Sequence, residues 1–186
     1  MDTEDLYCAL QKNPSTSPYF GGIYPNDQLP YMNTKCISRD KYIVINLDPS
    51  YKEGSHWVVA VQTPNSKNNF FFDSYGMPPF TEEIKQFLQN RYSFNKIPLQ
   101  NPLTTSCGQW CLYFIWNSIQ KGHHFLEHQK KQLNDYDVNK WVNKKFNLNE
   151  KAISLPFLRH QIAKSLEENR ELNHKFQHLM NAAANE

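Results

Sequence analysis

Hydrophobic positions along the chain fall into short extended runs and longer helical ones. YIVINLD (42–48) alternates, HWVVAVQT (56–63) is β-branched behind a Gly-containing turn, and NFFFDSYG (69–76) ends in Gly. All three read as strands. Their connections are short, so an antiparallel meander is the simplest sheet. KIPLQ (96–100) reads as a further strand, and Pro98 argues for a sheet edge. Helical spacing predicts a short helix over 3–12 and a second over TEEIKQFLQNRY (81–92), with Thr81 as N-cap and two Glu in its first turn. CLYFIW, behind the capping residues Thr104, Thr105 and Ser106, is apolar on nearly every side. It predicts a buried helix from about Cys107 to Gly122. Later, DVNKWVNKKF (137–146) and the segment 155–180 read as helices. In the second, Ile162, Leu166, Leu172, Phe176 and Leu179 fall on one face. Residues 13–41, centred on SPYFGGIYPNDQLP, read as loop ordered by its aromatics, and the NAAANE end as a frayed terminus.

Composition narrows the classes. With 186 residues, 39% hydrophobic and 14% aromatic, the chain is long and apolar enough for one domain with a real core. A net charge of +2 does not by itself imply a polyanionic partner. Residues 121–186 carry 11 Lys/Arg against 8 Asp/Glu, a mildly basic third. No apolar stretch approaches the ~18 residues of a membrane span, and the acidic start MDTEDLYCAL lacks a signal-peptide core. Four cysteines at scattered positions suggest no disulfide framework, so a reducing cytosolic or nuclear setting is expected.

A thiol there is free to be a nucleophile, and QNPLTTSCGQWC (100–111) puts Cys107 at a helix mouth. Unpaired N–H groups and the helix dipole favour a thiolate at that position. A nucleophilic Cys needs a base. Six of the seven histidines lie at or beyond His123, and only His56 lies earlier, opening a predicted strand as His-Trp. Asp73 closes the next strand, so an antiparallel turn brings His56 and Asp73 to the same sheet edge, where the carboxylate can orient the imidazole. Gln100 is placed to offer a side-chain N–H to an oxyanion, with the Cys107 amide as second donor, and Gly108 permits close backbone approach. Singly, each residue has an ordinary structural reading. The ordered set on strand, strand and strand-to-helix is what carries chemistry.

That set resembles the adenain family, the adenovirus-type maturation cysteine proteases, within the clan that includes the SUMO-deconjugating Ulp/sentrin proteases. SPYFGGIYPNDQLP looks like the family's aromatic-Gly loop, GSHWVVAVQTPNSKNNFFFDSYG like its His-Trp hairpin with the following acid, and LQNPLTTSCGQWCLYF like its Gln-to-Cys segment. The seven-residue step from Gln100 to Cys107, and Cys111 after it, favour the adenain side. The resemblance implies an α+β, papain-like fold of the adenain/Ulp type, with a mostly antiparallel central sheet, flanking helices and the nucleophile at the N-terminus of a buried helix. Its implied roles are Cys107 as nucleophile, His56 as base, Asp73 as acid, Gln100 in the oxyanion hole and Trp57 shaping the substrate cleft beside Gly108. The expected domain is single, 1–186. It has a helix and loop (1–41), a catalytic sheet and core helix (42–122) and a helical C-terminal part (123–186).

Adenovirus enzymes carry Glu at the acid position, and Asp is usual in the Ulp branch and in transposon and virophage relatives. Asp73 and PNDQLP therefore look like the proteins of Maverick/Polinton elements and virophages. The resemblance implies a cysteine endopeptidase that matures viral capsid and core precursors at Gly-containing sites, as a monomer, in the virion and the host cytoplasm or nucleus. It implies stimulation by DNA or by a precursor-derived peptide, and no membrane. No cysteine lies between Asp73 and Cys107, where the family's peptide is joined by a disulfide. The alternatives are an isopeptidase that removes SUMO- or ubiquitin-like modifiers and a binding module on a decayed protease fold. No cofactor is expected. HHFLEH places His124 and His128 at a metal-compatible spacing, but no second motif completes a ligand set, and no metal is expected. Cys8, Cys36 and Cys111 read as structural, and Lys130, Lys131, Lys144 and Lys145 as either a solvated face or a DNA contact.

Overall fold

A computed structural model of the chain describes residues 1–32, 37–52, 54–128 and 133–148. The helix expected over 155–180, Cys36, Lys130 and Lys131 lie outside them.

Five strands, β1 (Phe20–Pro25), β2 (Lys41–Asn46), β3 (Trp57–Gln62), β4 (Phe70–Phe72) and β5 (Ser93–Phe94), form one sheet in sequence order. The β2–β3–β4 centre is the expected antiparallel meander. Both edges are parallel, β1 to β2 and β5 to β4. Successive residues of a strand point to opposite faces, and here both faces are covered. Tyr42, Val44, Val59, Val61, Phe70 and Phe72 pack in one core with the helices α1 (Thr3–Lys12), α3 (Cys107–Lys121) and α4 (Asp135–Phe146). Ile43, Ile45, Val58, Ala60 and Phe71 pack in the other, with Leu29 and with Ile84, Phe87 and Leu88 of and beside α2 (Glu82–Phe87). Burial on both faces explains why the central strands are apolar almost throughout. The α3 helix is fastened to the sheet by Phe114, whose ring lies 4.3 Å from that of Phe72 at 6°. The fold is α+β, with a sheet antiparallel at its centre and parallel at both edges, between helices.

Three local expectations are corrected. The segment read as loop contains β1: Gly22, at φ +117, sits at a register break between Phe20 and Gly22. A Gly bulge and a terminal Pro on an edge strand hide it from strand patterning. The expected 81–92 helix stops at Phe87, because Gln89 (φ 59) and Asn90 (φ 53) turn left-handed and the Asn90 N–H closes on the Lys85 carbonyl. Thr81 makes no side-chain cap bond, and its hydroxyl is buried without a partner. Finally, 96–100 is not a strand. The short β5 precedes it, and the N–H groups of Leu99 and Gln100 both donate to the Ser74 carbonyl, at 2.8 and 3.0 Å.

Gly76 makes that hook possible. It sits at φ +70, and a Cβ there would lie 2.8 Å from the Ile97 carbonyl carbon and from the Pro98 nitrogen. Gly76→Ala is expected to destabilise the protein by about 2–4 kcal/mol, combining left-handed strain with displaced backbone. Urea denaturation measures it. An unchanged midpoint would mean that the 97–98 segment gives way freely.

Candidate active site

His56 immediately precedes β3 and Asp73 immediately follows β4, so the antiparallel β3–β4 pair brings them to one edge. The His56 Nε2 lies 2.7 Å from Asp73 Oδ1. The acid is buried and held from several sides. Its Oδ1 also accepts the Tyr75 N–H at 2.9 Å. The Asn95 side chain brackets its backbone, accepting the Asp73 N–H at 2.9 Å and donating to the Asp73 carbonyl at 2.6 Å. The Tyr75 ring stacks on the imidazole, with centroids 4.7 Å apart at 22°. The imidazole is thus fixed by a carboxylate at one edge and an aromatic face above.

The α3 helix begins at Cys107, as expected, and closes at Gly122 with φ 86. Ser106 occupies the N-cap position without a side-chain cap bond, which leaves the first-turn N–H groups to other acceptors. His56 and the backbone N–H groups of Trp57 and Gly108 are the groups that act on the half-buried Cys107 sulfur. With Nε2 on Asp73, Nδ1 is the ring nitrogen left for sulfur. Burial alone would push the Cys107 thiol up, but the His56 bond, the two backbone donors and the imidazolium charge outweigh it and lower its pKa. Burial pulls the other way on His56 too, yet the bonds and charges of Asp73 and Cys107 raise it to about 9. The two shifts describe a thiolate–imidazolium pair. One turn along, Cys111 is fully buried and its pKa is pushed well up, by burial first and then by the neighbouring Cys107 charge. A buried, neutral thiol of this kind packs like a small hydrophobe.

Gln100 is buried and its amide is oriented at both ends. Ser74 Oγ donates to Gln100 Oε1 at 2.7 Å, and Gln100 Nε2 donates to the Thr104 carbonyl at 2.7 Å. Thr104 Oγ1 lies 3.4 Å from the same Nε2, at the weak limit of a hydrogen bond. The Trp57 side chain is partly buried against the larger core. What approaches Gly108 is Met1: a Cβ on Gly108 would lie 3.2 Å from the Met1 Cβ and 3.3 Å from its sulfur.

Nothing in the sequence alone marks Tyr75, Asn95 or Ser74 as part of the site. Tyr75 and Ser74 belong to an Asp-Ser-Tyr-Gly turn that reads as turn chemistry, and Asn95 reaches Asp73 from 22 residues away. Among the described residues no group of three His, Cys, Asp or Glu is placed to hold a metal ion. His124 pairs with Glu127 at 2.9 Å, and His123 bonds Ser118 and Asp40. Lys145 lies 4.2 Å over the Trp116 ring, a cation–π contact on the α3–α4 seam. No described helix is long and apolar enough to cross a membrane.

No family model matches the chain. Over 129 residues it is 24% identical to the protease of bovine adenovirus 2, covering 60% of this chain and 60% of that protein. The chain thus spans 60% of the length of the curated relative it matches. Among solved structures, ASFV pS273R protease shares the fold with a TM-score of 0.50 at 16% identity, over 72% of this chain and 64% of the other. ChlaDub1 of Chlamydia trachomatis shares it with a TM-score of 0.53 at 12% identity, over 81% and 95%. The fold is therefore the papain-like, adenain/Ulp type of α+β fold.

Proposed function

We propose that the chain is a cysteine endopeptidase that matures viral precursor proteins, cutting at Gly-containing sites. The observation that carries this is the Cys107–His56–Asp73 array at the mouth of α3, with the imidazole bonded to the carboxylate at 2.7 Å and acting on the sulfur so as to lower its pKa. The similarity to an adenovirus protease supports the viral side of the reading.

In this reading the Cys107 thiolate attacks the scissile carbonyl carbon, an S–C bond forms, and the π pair moves to oxygen. The Cys107 amide and the Gln100 side chain hold that oxyanion. His56, already protonated, gives its proton to the leaving amine, and the C–N bond breaks. His56 then takes a proton from water, whose hydroxide attacks the thioester and releases Cys107. Asp73 keeps the imidazolium charged and aimed throughout. Trp57 and Gly108 border the bound substrate.

Activity should follow the pair. The thiolate is needed for attack and the imidazolium for leaving-group protonation. The kcat/KM profile is expected to be bell-shaped, with an acid limb below the ordinary thiol value of 9.0 and an alkaline limb near 9. A single limb that rises at the ordinary thiol value, with no alkaline fall, would contradict a preformed pair.

A second reading, an isopeptidase for SUMO- or ubiquitin-like modifiers, is favoured by Asp rather than Glu at position 73. Exposed apolar residues Met77, Phe80, Ile97 and Leu103 on the loops flanking the site would suit a folded modifier. Two fluorogenic substrates decide between them: a peptide with an apolar-X-Gly-Gly core, and a SUMO C-terminal conjugate. Faster cleavage of the peptide, with any stimulation read by adding DNA or precursor-derived peptides, supports the endopeptidase. Rapid turnover of the SUMO conjugate alone replaces it by the isopeptidase. No cleavage of either, with an inert Cys107, sinks both.

A further inference from the structure

Asp135 lies in the first turn of α4, yet the helix does not use it as a cap. Asn134 does that, accepting the Asp137 N–H at 2.8 Å. Both Asp135 oxygens instead leave the helix. Oδ1 accepts the indole N–H of Trp110 at 2.6 Å. Oδ2 accepts the Asn101 N–H at 3.1 Å and the Thr104 hydroxyl at 2.7 Å. One carboxylate thus joins α4, the fully buried Trp110 of α3 and the loop that runs from Gln100 to Cys107. The helix dipole favours a carboxylate at this end of α4.

The loop held by Asp135 is the one that aims Gln100. Thr104 is gripped through its hydroxyl, and its carbonyl accepts the Gln100 Nε2. Ser74 fixes the other end of the same amide. The path from Asp135 to the Gln100 N–H therefore runs through Thr104 alone, by two part-buried bonds of 2.7 Å, the first of them charge-assisted. It does not pass through His56 or Asp73, whose partners are Tyr75, Asn95 and Cys107.

We propose that Asp135 is a positioning residue for the oxyanion site: it holds the 101–104 turn so that the Gln100 amide is aimed where negative charge develops. This rests on the cysteine-protease reading above. Its signature is a separation of two kinds of reactivity at Cys107. Alkylation by iodoacetamide is displacement at a saturated carbon and makes no oxyanion. Addition to a peptide aldehyde forms an S–C bond and puts the carbonyl π pair on oxygen, so it needs the oxyanion donors.

The experiment uses the full chain, with iodoacetamide and N-acetyl-Leu-Ala-Gly-glycinal as probes, and a peptide substrate for turnover. In Asp135→Ala the alkylation rate and its pH profile are expected to match wild type. Aldehyde affinity and kcat are expected to fall about 10–100-fold, as for loss of an outer-shell partner, with KM nearly constant. Asp135→Glu, which keeps both oxygens, should recover part of the loss. Thr104→Val, which leaves the Trp110 bond in place, should shift aldehyde binding in the same direction if Asp135→Ala does not fold. Unchanged aldehyde affinity in a folded Asp135→Ala and in Thr104→Val overturns the proposal. So does a loss shared equally by alkylation and aldehyde binding, which would mark Asp135 as merely structural. A wild-type Cys107 that alkylates like an ordinary thiol and binds no aldehyde fails differently: it removes the protease reading and this proposal with it.

Discussion

Cys107→Ala is expected to lower peptide cleavage by at least about 10⁴-fold while leaving the protein folded. The loss is large because no other described thiol can substitute. Cys111 is the nearest in sequence, but it is buried and its thiol is held neutral. The fold should tolerate the change because the sulfur is half-buried in the first helical turn and fills no part of the main core. A melting temperature within a few degrees of wild type is the corresponding expectation. A second readout is built into the same variant. The His56 titration is raised partly by its bond to Cys107 and the sulfur's charge, so its NMR titration should move down from about 9 when the sulfur is gone. Continued cleavage by the folded variant would remove Cys107 from the chemistry. An unmoved His56 titration would mean that the pair is not coupled.

His56→Ala carries the second large effect, a loss of about 10³–10⁴-fold in turnover together with a changed pH profile at the thiol. In wild type, the labelling curve of Cys107 with iodoacetamide should lie below pH 9.0; in the variant it should move up toward that of an ordinary thiol. Mass spectrometry of the labelled peptide over a pH series measures both. The same variant should be less stable, because the buried Asp73 loses its imidazole partner, at a cost of about 1–3 kcal/mol. The pH dependence of stability has a definite sign for each member of the pair. The raised His56 pKa contributes stability fully present below 6.5 and lost as pH rises through about 9. The lowered Cys107 pKa contributes stability present above 9.0 and lost as pH falls through its folded value. Between those limits the slopes oppose, since an ion pair holds as many protons as a neutral Cys–His pair. Stability should therefore be nearly flat from the lowered Cys107 value up to about pH 9. A steep slope there would indicate that only one of the two groups is shifted.

His56, Asp73 and Cys107 were legible in the sequence because each marks an element boundary: the start of one strand, the end of the next, and the first residue of an apolar helix. Boundaries of this kind survive errors in the elements themselves. The 96–100 segment reads as a strand and is not one, yet Gln100 still stands in the loop before Cys107, because its place depends on Ser74 and Thr104 rather than on a ladder. The edge strand β1 was hidden by Gly21, Gly22 and Pro25, which weaken strand patterning where a bulge needs them. The ring of Tyr75 over His56, the Asn95 clasp and the Asp135 tie were not legible at all. They join residues through side chains whose pairing follows only from the assembled sheet and helices, and no local pattern records it.

The meander has a further consequence, for the order in which the molecule assembles. His56 and Asp73 are 17 positions apart and meet through adjacent antiparallel strands, a contact with a small loop-closure cost. Cys107 reaches them only when α3 docks across the sheet, through pairs such as Phe72 with Phe114 that close a much longer loop. Contacts of lower sequence separation tend to form earlier. A nascent or refolding chain would then hold its acid–base pair before its nucleophile, and the sulfur would stay an ordinary, unreactive thiol until α3 is in place.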